Sequence, residues 1–216
     1  EANIGEVYSI DLPSGVDPLN NEVNGFVETW YDQFGSKDAA QPTVAEQPKI
    51  VNAGSLITGG GIAFNGSDHQ LDFTALNAVD LAIFSVVKFD DVSSQNRILG
   101  EDSTNSEGFG IGTATTGFFR GNGGTSSGPA LNATVSTSGD FLYSVLRAQP
   151  DVTFFTKGVA SATVVNTDNF KANSIGGHTN PIEGNLKEII IYNTDQVANR
   201  TAIEANIAAE YGITLS

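Results

Sequence analysis

Cysteine and methionine are both missing from this chain of 216 residues. Without cysteine there is no disulfide framework, no thiolate zinc site and no cysteine nucleophile. The redox compartment stays open, because a core of this size stands without disulfides in either environment. Cations are scarce as well: ten Lys and Arg face 25 Asp and Glu, a formal charge of −15. Nucleic acid requires clustered cations that displace its counterions. Here Lys37, Lys49, Lys88, Arg97, Arg120, Arg147, Lys157, Lys171, Lys187 and Arg200 stand singly along the sequence. Nucleic acid and anionic membrane surfaces are thus poor partners. Long apolar runs are absent too, Leu81–Val87 being the longest, far short of the ~20 residues of a membrane span. No membrane insertion is expected. No leader pattern opens the chain, and its first residue is Glu1, as expected of a mature, excised or partial polypeptide.

Glycine, serine, threonine and asparagine take the place of charge and bulk. The chain has 24 Gly and is only 16% charged, against a usual ~25%. Apolar residues come in runs of four to eight between turn residues, the spacing of a β sandwich or barrel. Leu81–Phe89 is almost continuously apolar, as a strand buried on both faces would be. Phe155–Val159 reads as a hairpin turning at Lys157-Gly158. Thr194–Gly212 alone has helical period, with Val197, Ile203, Ile207 and Tyr211 near one face and Glu204 off it. Thr194 or Asp195 is positioned to cap its start and Gly212 to end it. Such a helix is expected to cover one edge or end of the sandwich. The fold class expected is all-β, a two-sheet antiparallel jelly-roll sandwich with one C-terminal α-helix. Residues 1–25 form an N-terminal arm or edge strand, and residues 26–216 a single sandwich domain.

Two stretches resemble a known family. Phe26-Val-Glu-Thr-Trp-Tyr-Asp-Gln-Phe-Gly35 with Ile62-Ala-Phe-Asn-Gly-Ser-Asp68 resembles the opening of concanavalin A-like, laminin G-like domains. The nearest subgroup is the arabinofuranosidase B-like type of phage virion and marine bacterial surface proteins. Gly184-Asn-Leu-Lys-Glu-Ile-Ile-Ile-Tyr-Asn193 and Ile203–Ile213 are similar to the closing strand and terminal helix of those domains. The resemblance implies a lectin-like sandwich and leaves the function open, because such folds carry many activities. It also implies that calcium at one loop end is possible.

Catalytic groups are sparse. A retaining glycosidase needs two carboxylates ~5 Å apart, which on a strand means acids two residues apart. The Glu-x-Asp-x-(x)-Glu pattern of sandwich glucanases is absent. Acids of separate loops can still converge, for example Asp32 with Asp68 or Glu101 with Glu107. There is no Gly-x-Ser-x-Gly elbow, and His69 and His178 are isolated.

Glycan recognition needs an aromatic platform beside planar polar groups. Trp30-Tyr31 offers one, since adjacent strand residues face opposite ways. Phe119-Arg120 with Asn122 offers a second, an outward Phe on a loop; its alternative is an ordinary hairpin tip. No cofactor is required. For calcium, which takes six to eight oxygens, the candidate ligands are Asp68, Asp90, Asp91 and Glu101, unless these acids serve solubility alone.

The reading that follows is a non-catalytic recognition module binding polysaccharide or a cell-surface glycan, extracellular, secreted or on a virion. One alternative is a structural assembly subunit, partnered by copies of itself or other virion proteins, and a weaker one is a polysaccharide hydrolase or lyase.

Overall fold

The computed structural model describes residues 23–57, 59–101, 107–121 and 126–216. Most of the expected N-terminal arm and Asn122 lie outside them. The described residues form eighteen strands. The first nine are β1 (Gly25–Phe26), β2 (Thr29–Trp30), β3 (Ala39–Ala40), β4 (Lys49–Asn52), β5 (Ser55–Leu56), β6 (Ile62–Asn65), β7 (Leu71–Ala78), β8 (Leu81–Phe89) and β9 (Asn96–Gly100). The rest are β10 (Gly108–Thr113), β11 (Thr116–Arg120), β12 (Ser126–Ser127), β13 (Phe141–Ala148), β14 (Asp151–Thr156), β15 (Val159–Ala160), β16 (Val164–Val165), β17 (Phe170–Ile175) and β18 (Glu183–Tyr192). One α-helix follows, α1 (Arg200–Tyr211).

The strands pair antiparallel in two sheets. The ten-stranded sheet runs β1-β4-β6-β18-β8-β13-β14-β15, with β5 beside β4 and β16 beside β14; the eight-stranded sheet runs β12-β11-β10-β9-β17-β7-β3-β2. This is the expected jelly-roll sandwich. Alternation along each strand sends one set of side chains between the sheets. There Phe109 stacks on Tyr143 at 5.3 Å and Phe119 on Phe170 at 5.0 Å. Each such ring contributes about 1.5–3 kcal/mol on burial. The Tyr143 hydroxyl donates to the Gly110 carbonyl at 2.8 Å, so the buried phenol is satisfied. Arg147 is fully buried and its guanidinium donates to the carbonyls of Ala78, Asn166 and Asp168 above the Phe119 ring.

The helix differs from its expected place. It lies on the outer face of the ten-stranded sheet, where Ile203, Ile207 and Tyr211 pack with Phe84, Leu142, Leu146 and Phe155. That third layer is why β8 reads as apolar on both faces. Glu204, expected off the apolar side, is buried beneath the helix, accepting from Ser144 Oγ at 2.7 Å and pairing with Arg200. Val197 is exposed instead. Neither Thr194 nor Asp195 caps α1: Asn199 stands at the cap position without a side-chain capping bond, its Nδ2 donating back to Gln196 Oε1 at 2.9 Å. Asp195 accepts from the Val197 amide at 2.9 Å in the turn before it. Gly212 ends the helix at φ 63, as expected. Among the described residues no helix is long and apolar enough to cross a membrane.

Candidate functional site

The segment that most resembles the family is a fold device. Trp30 packs against the core, and its strand ends in a turn organised by Asp32. The Asp32 carboxylate accepts from the amides of Phe34 at 3.0 Å and Lys37 at 3.1 Å. Those backbone donors hold its pKa below the ordinary value. A side chain at Gly35 would meet Asp32 Oδ2 at 2.6 Å, which explains the glycine three residues on. Tyr31 is exposed (40%), beside Phe34 (93%). Its polar neighbours are committed to the turn, Gln33 Nε2 donating to the Tyr31 carbonyl at 2.9 Å.

The second aromatic candidate inverts. Phe119 is buried between the sheets, because β11 pairs Phe119 with core Phe109 and Phe118 with Gly110. Phe118 therefore takes the outer face of the eight-stranded sheet, beside Arg120 two places along. Trp30-Tyr31 and Arg120 stand on opposite wings of that sheet, on β2 and β11.

The calcium candidates do not form one group. Asp68 accepts from Asn65 Nδ2 at 2.7 Å, and Asp90 pairs with Lys88 at 2.8 Å. Asp91 accepts from the Ser93 amide at 2.9 Å and from the Ser93 and Ser94 hydroxyls. Glu101 pairs with Lys171. Each carboxylate is thus answered locally, and no three His, Cys, Asp or Glu among the described residues form a group that could hold a metal.

What the fold does assemble lies on β9, β10, β11 and β17. Gly108 and Gly110 of β10 face outward between Arg97 of β9 and Phe118 and Arg120 of β11. They leave a bare strip of backbone on which Arg97 lies. A Cβ on Gly108 would stand 3.2 Å from Arg97 Cδ, and one on Gly177 would stand 2.9 Å from Arg97 Cβ. The Arg97 guanidinium sits over the Phe118 ring, 4.8 Å from its centroid, a stacked cation–π pair. At the strand ends, Glu101 follows β9 and Glu107 precedes β10, and the two carboxyls interact. Burial, then the proximity of Glu101, pushes Glu107 up to about 7, while Lys171 and Arg120 oppose the shift. Burial, and secondarily Arg120, lowers Arg97 to about 10, leaving it charged at neutral pH.

Arg97 is 3% exposed, yet the Nε–H groups of Arg97 and Arg120 lack hydrogen-bond partners. Buried polar groups are normally paired, so two unpaired guanidinium Nε–H groups on neighbouring strands of one face stand out. His178 stands nearby, its Nε2 3.4 Å from Asp72 Oδ1. Of these groups the sequence pointed to Arg120, Glu101 and the Glu101–Glu107 convergence. Arg97, Phe118 and Lys171 were missed, and the Gly-Phe-Gly-Ile-Gly alternation of 108–112 is the signal that could have found them. A separate hollow of about 220 Å³ is lined by Lys49, Asn52, Ile57, Ala63, Phe64, Asn65 and His69. It falls below the ~300–1,000 Å³ of usual ligand pockets.

No family model and no curated protein matches the sequence. Solved structures do match the fold. A native heptameric SAP-like pentraxin from Limulus polyphemus aligns at TM-score 0.53 and 9% identity, over 65% of this chain and 78% of that one. Trypanosoma rangeli sialidase aligns at TM-score 0.58 and 14% identity over 92% of this chain, which spans only 33% of the sialidase. Domain 4 of AbnA, a GH43 extracellular arabinanase from Geobacillus stearothermophilus in complex with arabinotriose, aligns at TM-score 0.55 and 14% identity, over 86% of this chain and 94% of that one. Such identities establish the concanavalin-like sandwich and nothing finer.

Proposed function

We propose that this chain is a non-catalytic glycan-recognition module whose site is the outer face of the eight-stranded sheet. The observation that carries the reading is the Arg97–Phe118 stack with its unpartnered polar neighbours. It places a guanidinium on an aromatic ring, both buried, beside half-buried Arg120, whose planar group hydrogen-bonds in pairs. The arabinanase domain bound to arabinotriose supports it to the extent that the same scaffold accommodates a sugar site there. The likeness of Phe26–Gly35 and Gly184–Asn193 to arabinofuranosidase B-like domains of virion and bacterial surface proteins supports an extracellular or virion setting. The acidic, glycine-rich composition fits the same setting.

Catalysis fits the geometry less well. Glu101 and Glu107 do converge, but Glu101 is committed to Lys171. The two carboxyls interact directly instead of standing apart across a scissile bond. The test is electrophoresis of the protein through gels containing a panel of plant, algal and bacterial polysaccharides, with a parallel assay for new reducing ends and unsaturated products. Retarded migration in at least one polymer without product is expected. Migration unaffected by every polymer defeats the reading, and product release replaces it with the hydrolase or lyase alternative.

A further inference from the structure

The ten cations are scattered in sequence, but the fold brings Arg97, Arg120 and Lys171 to neighbouring strands of one face. In a chain of net charge −15 that is a local reversal of sign. The two guanidiniums stand close enough for Arg120 to disfavour the charge on Arg97. Holding like charges together while removing them from water is costly unless an anion joins them.

The side chains present answer that cost only in part. None of the ion pairs among the described residues includes Arg97 or Arg120. Glu101 pairs with Lys171. Glu107 faces Lys171 and Arg120 but is engaged with the Glu101 carboxyl and pushed up to about 7, so it is a poor counter-ion for two guanidiniums. Resting on the glycan reading above, we infer that the ligand of this face is an acidic saccharide. Its carboxylate or sulfate is received by the half-buried Arg120 guanidinium beside partly exposed Lys171, with the charge of Arg97 buried beneath them on the Phe118 ring. Guanidinium donors match paired oxygens of a carboxylate or of a tetrahedral oxyanion. Arg97 lies on the glycine floor, and half-buried Arg120 with partly exposed Lys171 forms the rim.

The experiment compares three polymers at pH 6: a polyuronate, a sulfated galactan and a neutral arabinan, each against wild type, Arg120→Gln and Arg120→Lys. Retention by the polyuronate or the sulfated galactan is expected, and which of the two retains the protein distinguishes carboxylate from sulfate. Arg120→Gln should weaken that retention about tenfold, the loss expected of one charge-assisted bond, and Arg120→Lys should recover part of it. Raising salt from about 0.1 M to about 1 M, which shortens the screening length from about 10 Å to about 3 Å, should weaken it further. Circular dichroism and thermal unfolding of both variants should match wild type, because Arg120 lies outside the core. Retention by arabinan as strong as by either acidic polymer, and indifferent to Arg120→Gln, overturns the inference while the glycan reading stands. No retention by any polymer, here or in the wider panel, defeats both.

Discussion

Phe118 and Phe119 are adjacent, chemically identical and predicted to fail in opposite ways. Phe119 is fully buried, stacked on Phe170 at 5.0 Å and covered by the Arg147 guanidinium 5.6 Å from its ring centre. Truncating such a ring to alanine costs about 3–5 kcal/mol. For a domain of this size each kcal/mol moves Tm by about 2–4 °C, so Phe119→Ala should lower Tm by about 6–20 °C. Phe119→Leu, losing less volume, should cost about 1–2 kcal/mol and leave the protein folded at room temperature. Phe118 belongs to neither apolar cluster of the sandwich, and its main partner is Arg97 at 4.8 Å. Phe118→Leu forfeits that stacking, worth about 0.5–2 kcal/mol, and shifts Tm by only a few degrees. It also frees the Arg97 guanidinium that the buried ring holds in place, and a loss of about 1.4 kcal/mol at the proposed site weakens binding tenfold. Differential scanning calorimetry and affinity electrophoresis at 20 °C on any polysaccharide that retains wild type give both readouts. Phe118→Leu should lose retention with a Tm shift of a few degrees; Phe119→Leu should keep retention while Tm falls by about 2–8 °C. If Phe119→Leu loses retention while fully folded and Phe118→Leu keeps it, the assignment of faces along β11 is wrong.

Three further outcomes follow from buried groups and one turn. Glu204→Ala strands the Ser144 hydroxyl and Arg200 beneath the helix and should cost about 2–3 kcal/mol by urea unfolding. Glu204→Gln keeps an acceptor for Ser144 and should stay within about 1 kcal/mol of wild type. Burial raises the pKa of Glu107, Glu188 and Glu204, so the native chain holds protons that the unfolded chain releases above about pH 4.5. Stability should therefore fall as pH rises from about 5 through 7, and self-repulsion of the −15 charge reinforces the trend. A Tm that climbs steadily from pH 5 to pH 8 refutes this. At the β14–β15 turn, Lys157 and Gly158 have φ 50 and 86, so Gly158→Ala should destabilise by about 1 kcal/mol, read as a shift of the urea midpoint without change of slope.

Much of the architecture was legible because its signals are local. β8 and β13 begin and end where their apolar runs do, and the Lys157-Gly158 turn needed only its glycine and spacing. β7 escaped notice because Leu71-Asp-Phe-Thr-Ala-Leu-Asn-Ala78 mixes polar residues into a strand buried on one side only. The helix was recognised, but its seat on a sheet face depends on residues far away in sequence, as does the burial of Glu204. The site was legible in fragments for the same reason. Arg120 and Glu101 drew attention singly, whereas the identity of the outward Phe depends on cross-strand pairing with Phe109. Lys171 joins the cluster only through the adjacency of β17 and β9. Two consecutive phenylalanines carry no parity of their own.

The third layer contributed by α1 makes the two sides of the sandwich unequal. After the helix the chain stays on that side, with Leu215 in the outer apolar cluster and the Ser216 amide donating to the Lys157 carbonyl at 2.9 Å. The Arg97–Phe118 face looks the opposite way, across the thickness of two sheets. A carrier, bead or lattice joined through Ser216 would therefore present that face to its surroundings, and many copies fixed in this way would combine weak single contacts into tight adhesion.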